Sequence, residues 1–243
     1  YFKANPNAAY VAMGVMDSDA YDESPDTLET IKKYQEKYPD IKLARAYAYS
    51  HQYWAFINQL AAWMKTSEPG KLLMGLSYSE VRMLPEMKLE PNVMAITVWG
   101  IAELEADGRL KPGKDGVSEL DAWLKVANHF GNHDWLQGLG YFIPRTYTHY
   151  YSTYLKALKK AGVQDSFQHI EAYPNWGMDG PKYYIISRLM WDPGQDVDAM
   201  WKQYSDDMFG PASVPMQEYF ATLEKLWVQL DNVEGPERKL FRW

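Results

Sequence analysis

Two apolar stretches decide the fold: residues 71–79 read KLLMGLSYS, and residues 92–99 read NVMAITVW. Neither stretch alternates apolar with polar side chains along its length, which is typical of strands that are buried on both faces, as in parallel sheets. Three further segments share this character and are predicted to be strands: Tyr10–Asp17, Trp135–Ile143 and Phe167–Ala172.

Helical patterns separate these strands. Residues Ser50–Lys65 carry apolar side chains at helical spacing, and Ser50 is placed to cap that helix. Val117–Phe130 and Tyr150–Ala161 show the same periodicity, and Thr27–Tyr38 is predicted to be a short helix in the insertion after the first strand. Alternating strands and helices predict βα units around a parallel sheet, so the fold class is α/β.

After the fifth predicted strand the pattern is helical only. Three consecutive helices are expected, at Pro181–Trp191, Asp196–Phe209 and Ala212–Leu230. A closed (β/α)8 barrel needs eight strands and about 250 residues, whereas this chain offers five strand candidates. We therefore expect either a smaller open sheet or the C-terminal part of a TIM-type barrel, followed by a helical C-terminal region.

The composition argues against several classes of protein. The 243 residues include 25 Lys and Arg against 32 Asp and Glu, so the formal net charge of −7 does not suit a nucleic-acid-binding surface. No apolar run is long enough for a membrane-spanning helix, and the lack of cysteine excludes disulfides and thiolate metal sites. The 10 Trp and 19 Tyr suit a carbohydrate site, although such rings also fill cores and interfaces.

The chain carries a series of motifs in a characteristic order. They are GVMD at Gly14–Asp17, EPNV at Glu90–Val93, YFIPR at Tyr141–Arg145 and NWGMDGPKYYIISRLMWDP at Asn175–Pro193, followed by Asp196-Val197-Asp198 and Phe209-Gly210. Over nearly the whole chain they resemble domain-of-unknown-function family 4838, a largely bacterial family of glycoside-hydrolase-like proteins with an α-glucuronidase-like barrel.

This resemblance implies that the chain is the later part of a (β/α)8 barrel. Residues 1–177 would form about its last five strands, and residues 178–243 would form helices packed on the barrel. An upstream part of the same polypeptide would complete it. The resemblance also implies an extracytoplasmic protein (periplasmic, surface-bound or secreted) of a polysaccharide-degrading bacterium.

The catalytic residues of a glycoside hydrolase are two carboxyl groups across the scissile bond, and in a barrel they stand at the C-terminal ends of strands. Glu171 ends the last predicted strand and Asp17 ends the first. We therefore expect Glu171 as the acid and Asp17 as the base or nucleophile. Alternatively, Glu171 orders its loop or pairs with Arg145, and Asp17, like the nearby Asp22, only forms a turn.

Other side chains at predicted strand ends are candidates for substrate binding. They are Tyr78, Glu80, Trp99, Tyr141, Arg145 and Trp176. Aromatic rings at this position stack on sugars, and Arg145 fits the carboxylate of a uronic acid. Glu80 is either a second site carboxylate or the ion-pair partner of Arg82, and Trp99 and Tyr141 are equally suited to cap the core.

The histidines predict no metal site. His129 and His133 have i, i+4 spacing, but Gly131 and Asn132 interrupt the helical pattern between them, and the pair precedes a predicted strand, at the end opposite the site. His149 is expected to be an isolated side chain. The six tryptophans of the predicted helices are expected to pack in cores: Trp54, Trp63, Trp123, Trp191, Trp201 and Trp227.

The sequence thus favours a glycoside-hydrolase-like protein that acts on or binds a poly- or oligosaccharide through carboxylate acid/base chemistry. No metal, cofactor or nucleic acid is expected to take part. The first alternative is a non-catalytic carbohydrate-binding barrel of a secreted or surface protein. The second is a structural domain whose aromatic side chains fill its core.

Overall fold

The computed structural model of the chain describes residues 1–16, 21–99, 116–134, 146–162, 168–170 and 176–231. The chain separates into two compact units. The first spans Tyr1–Val98 and Glu119–His133. The second is built from the described residues of Trp99–Ser118, Asp134–Gln164 and Gln168–Trp243.

A parallel sheet forms the centre of the first unit. Its strands lie in chain order: β1 (Tyr10–Met13), β2 (Leu72–Ser77), β3 (Val93–Val98) and β4 (His129–Asp134). In register, Ala12 lies beside Met74, and Met74 beside Met94. The predicted parallel α/β arrangement is confirmed for these strands, and their carboxyl ends share one edge.

Helices connect the strands of the first unit and make up most of the described residues of the second. In the first unit, α1 and α2 lie between β1 and β2, and α3 lies between β3 and β4, with bounds Pro25–Lys37, Ile41–Ser67 and Glu119–Val126. The second unit contains α4 (Thr148–Lys160), β5 (Gln168–Ile170), α5 (Trp176–Trp191), α6 (Val197–Phe209) and α7 (Ser213–Asp231). The helical C-terminal region is therefore confirmed.

Helix α2 is longer than its apolar pattern predicts. It begins at Ile41 because Asp40 caps it: the Asp40 carboxylate accepts hydrogen bonds from the amides of Lys42 at 2.8 Å and Leu43 at 3.2 Å. The prediction that Ser50 caps this helix is wrong, because Ser50 lies inside it.

Packing of α2 on the sheet follows its sequence periodicity. Trp54, Ile57, Ala61 and Met64 are buried as predicted. The Trp54 ring approaches Gly75 of β2 so closely that a Cβ atom on Gly75 would lie 2.6 Å from Trp54 Cζ3. The Trp54 ring also makes an edge contact with Trp123 of α3, at 5.8 Å between ring centroids. Gly75 thus lets α2 pack directly on β2.

Strand β4 begins within the predicted helix Val117–Phe130. Helix α3 ends at Val126, and β4 begins at His129 and pairs in parallel with β3. Placing His129 and Phe130 in a helix was therefore wrong. The short sequence HFGNHD has no apolar run, and ladder pairing with β3 outweighs its weak local preference. The predicted strand Trp135–Ile143 lies outside the described residues.

The position of β4 also determines where His133 lies in the sheet. His133 is in register with Val98, the last residue of β3, so it lies toward the carboxyl edge of the sheet. The expectation that the pair lies at the opposite end is wrong for this residue. Beside it in the ladder, the Thr97 hydroxyl donates to Asn132 Oδ1 at 3.2 Å, and both side chains are buried.

Two of the helical tryptophans do not pack as predicted. Trp63 is 62% exposed and Trp191 is 92% exposed. Trp63 follows the buried Trp54 by nine residues, which places the two on faces of α2 about 180° apart. Trp191 is the last residue of α5. The packing prediction is confirmed for Trp54, Trp123, Trp201 and Trp227, all of which are buried.

Helix α5 begins at Trp176, five residues before its predicted start, and holds a buried ion pair. Lys182 is 1% exposed, and its Nζ lies 2.7 Å from Asp179 Oδ1 one turn earlier. The rings of Tyr147 and Tyr183 lie 5.9 and 5.4 Å from the same ammonium. The Gly-Pro-Lys-Tyr-Tyr motif therefore fills the interior of the second unit.

Within the described residues, no helix combines the length and the apolar character that crossing a membrane requires.

Candidate functional site

The end of β2 carries an unusual backbone. Ser77, the last residue of β2, is followed by Tyr78 and a 3-10 turn over Ser79–Val81. Ser79 has a φ of 51° and is the one non-glycine residue with positive φ among those the structure describes. Such a conformation costs about 1–3 kcal/mol, persists only where the surroundings enforce it, and clusters at functional sites.

A tyrosine from the loop after β1 enforces this conformation. The Tyr21 hydroxyl donates to Ser79 Oγ at 3.2 Å and accepts from the Glu80 amide at 3.3 Å. The Tyr21 ring stacks on the buried Tyr49 of α2, at 4.8 Å between centroids. Arg82 Nη1 donates to the Ser79 carbonyl at 2.8 Å. The turn is thus fixed on both sides of Ser79.

Serine hydroxyls fix the rest of the turn. Ser50 of α2 accepts from the Met83 amide at 3.0 Å and donates to the Glu80 carbonyl at 3.5 Å. Ser77 donates to the Arg82 carbonyl at 3.0 Å. Residues 79–83 are therefore held rigidly at the carboxyl edge of the sheet, where sites of parallel α/β proteins are built.

The Glu80 carboxylate stands on this fixed turn. It is half-buried, and no residue that the structure describes makes a hydrogen bond or ion pair with it. The expected alternative, an ion pair between Glu80 and Arg82, does not form, because the Arg82 guanidinium binds the Ser79 carbonyl instead. The acceptor sites of Glu80 therefore remain available to a ligand.

Glu80 lies close enough to the Tyr49 phenol to affect its pKa. Burial is the main cause that raises the pKa of the Tyr49 phenol above its ordinary value. The Arg45 guanidinium lowers it, and the carboxylates of Glu23 and Glu80 raise it further. Glu23 and Glu80 thus act on the same phenol, where the Arg45 guanidinium has a larger and opposite effect.

The loop after β1 also contains an acid that fixes the start of α1. Asp22 accepts hydrogen bonds from the Ser24 amide at 2.9 Å, from the Ser24 hydroxyl at 2.8 Å and from the Thr27 hydroxyl. These bonds, that from Thr27 foremost, lower the pKa of Asp22. Ser24 in turn caps α1 through the Thr27 amide. The turn-forming alternative is confirmed for Asp22.

The aromatic candidates differ in exposure. Tyr78 is half-buried directly after β2. Trp99, directly after β3, is only 5% exposed, so little of its ring face is available to a sugar. Burial of Trp99 favours the alternative in which it belongs to the core.

Several expected site residues fall outside the described residues. They are Asp17, Tyr141, Arg145 and Glu171; Trp176 is the first residue of α5, and its side chain is likewise outside. The pairing of Glu171 with Asp17 therefore stays a prediction. The described part of the predicted site is Tyr78, Glu80 and Trp99, of which Tyr78 and Glu80 lie on the same turn.

The second unit contains a cluster that sequence reasoning missed. His149, at the start of α4, lies between Glu224 of α7 and Asp198 of α6, with Nδ1 2.7 Å from Glu224 Oε2 and Nε2 3.2 Å from Asp198 Oδ1. The three border a groove of about 460 Å3, together with Tyr150 and Lys225. His149 is 49 and 75 residues away from its partners, so no local pattern signals the contact.

No metal centre emerges from the part of the chain that the structure describes. No group of three or more His, Asp or Glu side chains there is arranged to hold an ion. The cluster at His149 does not suit a metal either, because both of its ring nitrogens already face carboxylates.

Comparison with known proteins gives one match. No curated protein and no solved structure is similar enough to be matched. Residues 1–222 match the sequence model of the family described as "Domain of unknown function (DUF4838)". That match covers the strands, the turn at Ser79 and the motifs quoted above, and the chain is therefore a member of the DUF4838 family.

Proposed function

We propose that this chain is the carbohydrate-binding part of a glycoside-hydrolase-like protein, with its site at the carboxyl edge of the sheet. The observation that carries the proposal is the Glu80 carboxylate, held on a fixed, left-handed turn at the end of β2 without a partner among the described residues. A rigid acceptor of this kind suits sugar hydroxyls, because bonds to ionised acceptors are the stronger ones.

The proposed reaction uses two carboxylates that end predicted strands. Glu171 and Asp17 follow β5 and β1 in the chain and supply the acid and the base or nucleophile. Glu80 contributes a substrate-binding carboxylate, and Tyr78 contributes a ring and a hydroxyl. Retaining hydrolysis needs carboxyl groups about 5–5.5 Å apart and inverting hydrolysis about 6.5–9.5 Å, so the separation of the Glu171 and Asp17 carboxyl groups would decide between the two outcomes.

A (β/α)8 barrel is the architecture that we propose around this sheet. Four strands already follow one another in parallel and in chain order. Strand β1 is at the sheet edge, Tyr10 in it is 43% exposed, and none of its residues is buried. Parallel sheets are normally covered on both faces, so an upstream part of the same polypeptide is the proposed cover. An extracytoplasmic location is proposed from the family resemblance alone.

The test is activity of the intact protein on a panel of polysaccharides and aryl glycosides. We expect release of sugar from one class of substrate and its loss in Glu171→Gln, with Glu29→Gln as a control on the exposed face of α1. Unchanged turnover in folded Glu171→Gln would remove that residue from the mechanism. Saccharide binding without bond cleavage would favour the non-catalytic alternative.

A further inference from the structure

The His149 cluster joins three helices of the second unit. Glu224 of α7 is buried, and its Oε1 accepts from the His149 amide at 2.9 Å. Its Oε2 accepts from the Thr148 hydroxyl at 3.3 Å, and that hydroxyl accepts from Trp201 Nε1 at 2.9 Å. Tyr147, the N-cap residue of α4, makes no capping hydrogen bond with its side chain. Glu224 therefore caps α4 from another helix.

The geometry fixes the protonation state of His149. Each ring nitrogen faces a carboxylate oxygen, Glu224 Oε2 at Nδ1 and Asp198 Oδ1 at Nε2. An ionised carboxylate only accepts hydrogen bonds, and a neutral imidazole has a single N–H. Both contacts can therefore be hydrogen bonds only when the ring is an imidazolium. In agreement, the pKa of His149 is raised above its ordinary value. The hydrogen bond to Glu224 is the main cause, burial opposes it, and Asp198 raises the pKa further.

The two carboxylates are unequal partners. The Glu224 side chain is 10% exposed, whereas that of Asp198 is 89% exposed. When the ring loses a proton, the remaining hydrogen stays at Nδ1, because a buried carboxylate that loses a donor is costly. The lone pair of Nε2 then faces Asp198, and that contact becomes repulsive.

We propose that His149 is a proton-operated clasp: its imidazolium ties the start of α6 to α4 through Asp198, and its neutral ring releases α6 while it stays bound to Glu224. His149 and Asp198 stand side by side in the wall of the 460 Å3 groove, so release opens this wall.

The other charged groups of the groove do not pair with His149. Glu218 and Lys225 of α7 line it as well, but neither makes a hydrogen bond or ion pair with the ring in the described part of the chain. The charged groups that face His149 are thus Glu224 from α7 and Asp198 from α6. The clasp responds to one proton on one side chain.

Hydrogen exchange of the full chain tests the clasp. Protection of the amides of residues 199–204 in α6, corrected for intrinsic rates, should fall about two- to fivefold between pH 6 and pH 8.5, as for loss of an exposed ion pair. His149→Asn and Asp198→Asn should each remove this pH dependence. Lys202→Gln breaks a different exposed pair of α6, with Asp206, and should keep it.

Two results would overturn the proposal. One is equal protection of α6 at both pH values in the wild type, and the other is wild-type pH dependence in Asp198→Asn. Because the Asp198 side chain is almost fully exposed, this variant is expected to fold even where His149→Asn does not. The ring signals of His149 in an NMR titration give a second readout, since Asp198→Asn should lower the pH at which they shift.

Discussion

Tyr21 donates its phenolic hydrogen to Ser79 Oγ across 58 residues of chain, and this contact ties the loop after β1 to the end of β2. The same hydroxyl accepts from the Glu80 amide. A left-handed serine and the carboxylate that follows it are thus held from a neighbouring strand end. The turn after β2 is a candidate site because this support fixes the position of Glu80.

Tyr21→Phe should weaken this support. It removes a hydroxyl that serves two partners, and we expect a loss of about 1 kcal/mol in the free energy of unfolding, measured by urea denaturation. Saccharide affinity should fall as well, because the Glu80 backbone loses its fixed position. Tyr219→Phe, at an exposed tyrosine of α7, is the control. Equal effects of the two variants would argue against a positioning role for Tyr21.

Gly75→Ala should be destabilising through steric overlap. The added methyl group would lie 2.6 Å from Trp54 Cζ3 and 3.0 Å from Cη2, in a wall formed by a buried and rigid indole. Overpacking of this kind costs about 1–3 kcal/mol. Gly14→Ala is the matched control, because no atom lies within 4 Å of the position of its Cβ. A wild-type unfolding midpoint for Gly75→Ala would contradict the described packing of α2 on β2.

Lys182→Met should be among the most destabilising single changes in the second unit. It leaves the Asp179 carboxylate buried without its ammonium partner, and breaking a buried pair on one side costs about 3–5 kcal/mol. Thermal unfolding measures the loss. Lys202→Met removes an exposed partner of Asp206 and should have a much smaller effect. Similar unfolding temperatures for the two variants would show that the Lys182 pair is not buried as described.

The stability of the chain should decrease as the pH rises through the folded-state pKa of His149. That pKa is raised above its ordinary value of 6.5, chiefly by the Glu224 hydrogen bond. The proton therefore binds the folded state more tightly. The stabilisation is complete below about pH 6.5, the unfolded value, and is lost at higher pH. Urea midpoints measured from pH 5.5 to 8.5 should show this slope in the wild type and a flatter one in His149→Asn.

At acidic pH, the stability of the chain should instead increase as the pH rises. The Lys37 hydrogen bond is the main cause that lowers the pKa of Glu86, and hydrogen bonds from Thr27 and Ser24 lower that of Asp22. Their contribution is present above the ordinary carboxyl pKa and is lost as the pH falls through the lowered values. Glu86→Gln should reduce the loss of stability at low pH, measured as the urea midpoint between pH 5.5 and 3. An unchanged loss in this variant would exclude Glu86 as its source.

The elements that could be predicted from sequence are those whose signal is local. Strands β2 and β3 are continuous apolar runs, and the buried stripe of α2 repeats with helical spacing. Strand β4 could not be predicted, because HFGNHD has no apolar run and its structure depends on pairing with β3. The start of α2 was missed because its signal, the Asp40 cap, lies ten residues before Ser50, where the apolar pattern placed the start of the helix.

The candidate site shows the same division. Glu80 and Tyr78 could be placed at a strand end because they follow a recognisable strand. The left-handed Ser79 was not, since its backbone is imposed by Tyr21 and Arg82 rather than by a glycine. The partners of His149 are distant in the chain and come from two other helices. A periodicity search cannot find contacts that only tertiary packing creates.

The most direct test of the proposed site is the saccharide affinity of the intact protein and of two variants, measured by calorimetric titration. We predict that Glu80→Gln weakens binding about tenfold or more, because it replaces a charged acceptor, whose bonds are worth about 1.5–3 kcal/mol, by a neutral one. Glu29→Gln should bind like the wild type. Unchanged affinity in a folded Glu80→Gln protein would contradict a carbohydrate site at the end of β2.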